Sequence, residues 1–134
     1  MNGDWRDWTP ANPCAQLIGT CSDELRGVFG DRTEVRQVYA ALETIAHYQN
    51  RHKAQFNIEK VTTLLAKIIE RPEAIYIGLK SNTLVFMGSY DIEYLLIVPV
   101  KVLKQEMWLE SVFITNAVRF QKRAWVQKGL IYEK

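Results

Sequence analysis

The sequence is short of several residue types, and each shortage excludes something. Two cysteines, Cys14 and Cys21, stand seven apart, which is no metal-ligand spacing. A disulfide between them is geometrically conceivable, but a chain of 134 residues can bury enough core without a staple, so reduced thiols are the favoured expectation. Two histidines, His47 and His52, are five apart, not the i, i+4 pair of a helical zinc site, so no metal is expected. No apolar run approaches the roughly 20 residues of a membrane helix, so no membrane partner is expected. The longest run, Tyr94 to Val100, contains Pro99 and reads as a strand. There is no GxGxxG, no GK[ST] phosphate loop and no GxSxG elbow. Cys14, in a polar, proline-containing lead, is a weak nucleophile candidate. No cofactor is implied. Residues 1–13 are polar, with Trp5 and Trp8, and lack the basic start and apolar stretch of a secretion signal. The expected site of action is the cytoplasm.

What remains is the composition of one globular domain, 48% apolar and 24% charged. Residues 1–134 are expected to be a single domain, with 1–21 as an irregular lead and 22–134 as the core. Charge is unevenly placed. Residues 119–134 carry Arg119, Lys122, Arg123, Lys128 and Lys134 against Glu133, a net +4, and the rest carries −2. A basic end on a mildly acidic body suits a polyanion. A solvated terminal strand is the plain alternative.

The periodicity separates helices from strands. Ser22 can cap a short helix that Gly30 ends. Glu34 to Tyr39 alternates, with Val35 and Tyr39 as inward candidates. Ala40 to Arg51 reads as a helix. Ile58 to Glu70 reads as another, on the stripe Ile58, Val61, Leu65, Ile68 and Ile69, and Arg71-Pro72 ends it. Then the period becomes two: Ala74–Gly78, Thr83–Gly88, Ile92–Val102, Met107–Asn116 and Gly129–Glu133 read as strands. Short connectors imply antiparallel neighbours. The expected fold is α+β, with N-terminal helices packed on one face of a curved, mainly antiparallel four- to five-stranded sheet. The other face is then open to a ligand.

Some residues invite chemistry. His52 ends a helix between Arg51 and Lys53; the helix end favours the imidazolium and the cations oppose it, a setting for proton transfer. An exposed polar residue at a helix corner is the plain alternative. His47, mid-helix, suits a surface or core-edge role better. Alternation over Met107 to Thr115 places Leu109, Ser111, Phe113 and Thr115 on one face, and Trp108, Glu110, Val112 and Ile114 on the other. Ser111 and Thr115 can hydrogen-bond phosphate, and Phe113 can stack on a base. A half-buried strand explains Thr115 equally well. Arg119 can grip phosphate bidentately, and Lys53, Lys122 and Arg123 add charge. Phe120 and Trp125 interleave with these cations, and Trp125 suits a core anchor better.

These residues resemble a known layout. From about Glu24 to Tyr132 the chain is similar to the phage and polymorphic-toxin branch of the barnase–EndoU–colicin–RelE superfamily of metal-independent RNases. The matching stretches are Glu24-Leu-Arg-Gly-Val-Phe-Gly30, the lead into His52, Ile68-Ile-Glu-Arg-Pro72-Glu-Ala-Ile75, Trp108 before Ser111-Val-Phe113, and Lys128-Gly-Leu-Ile-Tyr132. Where relatives often carry Thr-x-Tyr, this chain has Ser111-Val-Phe113, one hydroxyl fewer. The resemblance implies a small α+β RNase toxin acting on RNA, tRNA included, held in check by an immunity or antitoxin protein. It implies catalytic roles for His52, Ser111 and Arg119, with Thr115 beside them. Lys53, Phe113, Lys122 and Arg123 would contact substrate. A non-catalytic nucleic-acid- or protein-binding module of phage or mobile-element origin is the alternative.

Overall fold

The computed structural model describes residues 15–41, 44, 58–122 and 129–134. His52, Lys53 and Arg123 lie outside them, as do His47, Trp125 and most of the expected 40–51 helix. The strands are β1 Gln16–Thr20, β2 Gln37–Ala40, β3 Ala74–Ile77, β4 Thr83–Ser89, β5 Tyr94–Val102, β6 Met107–Leu109, β7 Phe113–Asn116 and β8 Leu130–Glu133. The helices are α1 Arg26–Phe29, α2 Ile58–Glu70 and α3 Ala117–Gln121. All eight strands form one sheet in the order β1-β2-β6-β5-β4-β3-β8, with β7 also paired to β5. Every pair is antiparallel except β2 with β6.

The expected four- to five-stranded sheet under N-terminal helices is therefore overturned. The protein is mixed α+β but dominated by an eight-stranded sheet, with three short helices among the described residues. Two physical causes explain the extra strands. Gln16–Thr20, read as irregular lead, alternates Gln16 and Ile18 inward and pairs with β2, with a register shift between Leu17 and Gly19. And the run 107–116, read as one strand, is cut in two.

The cut has an identifiable origin at Pro99. In an extended strand a residue's N–H and C=O point the same way, and Pro99 O accepts from Glu110 N at 2.9 Å. Pro99 has no N–H to donate towards that neighbour, which is where sheets place bulges. The register confirms one extra residue: Val100 opposes Leu109, whereas Ile97 opposes Phe113.

Helix α2 covers one face of the sheet. Its stripe Val61, Leu65, Ile68 and Ile69 is buried against β1 and β4. A Cβ on Gly88 would collide with the Ile68 side chain, so only glycine lets the helix lie this close to β4. The main core fills this helix face, with Phe29 and Phe86 rings 6.2 Å apart beneath it. The start of α1 differs from expectation. Ser22 occupies the cap position, but its side chain makes no capping bond and a 3-10 turn, Asp23–Leu25, intervenes. Gly30 ends α1 at φ 55°, a conformation that favours glycine.

The far face is not simply open. It carries a second, smaller core of Ala74, Tyr76, Val85 and Ile97, closed by Phe120 from α3. Phe120 meets Tyr76 edge to face at 5.3 Å. No helix among the described residues is long and apolar enough to cross a membrane.

Candidate functional site

The bulge between β6 and β7 borders a concavity on the far face. Its effect follows from side-chain parity. Trp108 opposes Lys101 and Phe113 opposes Ile97, so both project to the far face. Leu109, Val112 and Ile114 go to the helix-face core. The simple alternation expected for 107–115 is thus corrected: Leu109 is opposite in face to Phe113, and Glu110 joins Ser111.

Glu110, Ser111 and Phe113 line a cleft of about 210 Å³. Its floor is Val85, Ile97 and Pro99, and its other wall is the turn from Gly78 to Thr83. That turn closes through Gly78 N to Thr83 O at 2.9 Å. It passes through Asn82 at φ 63°, a left-handed conformation asparagine tolerates. Thr83 Oγ1 donates to Glu110 Oε1 at 2.5 Å, tying the two walls together. Lys80 reaches the same rim, and Leu79 beside it is 81% exposed. A hydroxyl, a carboxylate, an ammonium and a ring therefore meet over an apolar floor. That set can hydrogen-bond phosphate, move a proton and stack on a base.

The other sequence candidates fall elsewhere. Thr115 is buried, 7% exposed, and does not line the cleft. Arg119 and Lys122 are exposed on and just after α3, next to the Phe120 anchor but outside the cleft lining. Asn116 caps α3 by accepting from Arg119 N at 2.8 Å. The structure thus brings Ser111 and Phe113 together in the cleft, and leaves Thr115 on the same face as Phe113 but buried outside the cleft lining. Glu110, Thr83 and Lys80 were missed as site residues. Pro99 was the available signal for Glu110, since a proline inside a paired strand announces a bulge.

Cations divide into two groups. Arg26 and Arg36 pair with Asp23 at 3.5 and 2.8 Å, Arg71 with Glu24 at 3.7 Å, and Lys104 with Glu34 at 3.7 Å. Around the cleft, Lys80 and Lys101 make no ion pair among the described residues. Arg26, Arg36, Arg71 and Lys104 are thus paired with carboxylates, while the lysines near the cleft keep their charge among the described residues.

Cys21 carries no chemistry. It is a free thiol, 1% exposed, and burial pushes its pKa up to about 12, against the opposing pull of Arg36. Burial, with Glu133 adding to it, also raises the Tyr76 phenol. Among the described residues no three His, Cys, Asp or Glu side chains are grouped to hold a metal ion.

No protein-family profile, curated protein or solved structure matches the chain. Function is therefore read from the cleft's own chemistry.

Proposed function

We propose that this protein is an endoribonuclease that cleaves RNA without a metal ion, with the cleft as its substrate seat. The observation that carries the reading is the bulge, which gathers Glu110, Ser111 and Phe113 opposite Thr83 and Lys80. Phe113 offers a ring for a base, and Ser111 and Lys80 offer donors for the adjacent phosphate. A base removes the proton from a ribose 2′-OH, and that oxygen attacks phosphorus. The O2′–P bond forms as the P–O5′ bond breaks. The departing 5′-oxygen takes up a proton, leaving a 2′,3′-cyclic phosphate and a 5′-OH.

Two side chains can act as the base. His52 is the candidate from its sequence setting, and Glu110 is the carboxylate in the cleft itself. Lys80 supplies positive charge for the phosphorane-like transition state, and the exposed Lys101 and Arg119, outside the cleft lining, supply charge for the flanking phosphates. RNA is favoured over DNA because the reaction consumes the 2′-OH. An RNase of this kind acting as a toxin needs an inhibitor, and an acidic immunity or antitoxin protein complements the same cations.

Cleavage of labelled RNA by His52→Ala and Glu110→Gln variants tests the assignment. Loss of the true base lowers the rate by about 10²–10⁴-fold. A wild-type protein that binds RNA without cutting it would make the cleft a binding module instead. Full cleavage by both variants would remove both residues from the mechanism.

A further inference from the structure

The far face continues past the cleft as a row of side chains. Strand register aligns Thr83 of β4 with Lys101 of β5, Lys101 with Trp108 of β6, and Trp108 with Tyr39 of β2. Thr83 is a cleft wall, so Trp108 lies two strand spacings beyond it, roughly 10 Å. Tyr39 and Trp108 are half-exposed, and Lys101 between them and the cleft is exposed. The two rings have centroids 6.2 Å apart and are tilted by 48°. Trp108 is held in place, because its indole N–H donates to Glu106 Oε1 at 2.9 Å. Residue Tyr39 projects here because Val38 and Ala40, its neighbours, take the core positions.

Aromatic rings on a sheet face, with a lysine beside them that makes no ion pair among the described residues, form the usual platform for single-stranded nucleic acid. Every base has a π-face to stack, and the cation meets the backbone. The continuity with the cleft decides which nucleotides these are. We infer that Trp108 and Tyr39 stack the bases of an RNA strand that leaves the cleft across Lys101. This rests on the RNA reading of the cleft and extends its footprint beyond the reacting nucleotide.

The test uses the full chain and uncleavable 2′-O-methyl single strands of about four and about twelve nucleotides, lengths spanning the usual site sizes. Binding is followed by fluorescence anisotropy. Trp108→Ala is expected to weaken the long strand by roughly tenfold, and the short strand by clearly less. Trp108→Phe keeps a ring and restores most of the long-strand affinity, which separates stacking from damage to the fold. Lys101→Gln lowers the salt dependence of long-strand binding by about one phosphate contact, a slope change of about 0.7. Equal affinity of wild type and Trp108→Ala for the long strand would overturn the platform while leaving the cleft reading intact. So would equal losses on both strands. No binding of either strand by the wild type would overturn the RNA reading and the platform with it.

Discussion

The two faces of the sheet solve different problems with the same strands. The helix face is a continuous apolar layer in which Leu84, Phe86, Leu96, Val98 and Val100 are all buried. The far face carries a small core at one end, under Phe120, and polar, charged and aromatic groups over the rest. A face closed by a helix can be apolar throughout. A face left for a ligand must mix donors and cations with its rings, and must hold them without a covering layer. Here the Thr83–Glu110 bond and the bulge do the holding. Stability and function are therefore expected to respond to different residues.

The largest effect that tests this separation is loss of a buried ring from either face. Phe86→Ala, on the helix face, is expected to destabilise by about 3–5 kcal/mol in denaturant unfolding, with RNA affinity per folded molecule unchanged. Phe120→Ala empties the smaller core and is expected to cost less stability. It is also expected to weaken RNA binding, because α3 closes one end of the far face. The same RNA loss in both variants would erase the distinction between the faces.

A second test is alkaline. Cys21 ionises at 9.0 when unfolded and at about 12 when buried. Its folded pKa is raised, so the stability it contributes is complete below pH 9 and is lost as pH climbs towards 12. Tyr76, also raised, adds to the loss above its ordinary value of 10.0. At pH 10.5 the Cys21 share is roughly 2 kcal/mol. Thermal unfolding from pH 8 to 10.5 should fall steeply in the wild type and less steeply in Cys21→Ala. Identical slopes would show that the buried thiol does not set the alkaline limit.

The smallest stability effects should carry the largest functional contrast. Ser111→Ala, at the cleft rim, should change stability by no more than about 0.5 kcal/mol but slow cleavage. Thr115→Ser removes a methyl from a buried site, so it should cost about 1 kcal/mol and spare cleavage. The reverse pattern would return Thr115 to the site.

How much of this was legible in the sequence varied with the kind of signal. The α2 stripe gave its helix from Ile58 to Glu70, because apolar spacing at 3.6 residues over 13 positions has no strand equivalent. β3, β4 and β8 were bounded within two residues by Pro72, Ser81-Asn82 and the chain's return to alternation. β1 was hidden because five residues give too few alternations to separate a strand from a loop. β2 was found, but the inward residue is Val38 rather than Tyr39, a parity slip that only cross-strand register resolves. The same ambiguity split the candidate site. One inserted residue after Leu109 reverses the parity beyond it, so Phe113 parts from Leu109 and Glu110 joins Ser111, while Thr115 keeps the face of Phe113 but is buried outside the cleft. Lys80 and Thr83 were out of reach, since sequence places a turn but not what the turn faces.

Total RNA incubated with the purified full chain in EDTA, followed by mapping of the cut ends, tests the central claim most directly. Fragments ending in 2′,3′-cyclic phosphate and 5′-OH are expected, with cutting reduced in Ser111→Ala. Intact RNA, or cuts that appear only with added metal and leave 5′-phosphates, would contradict it.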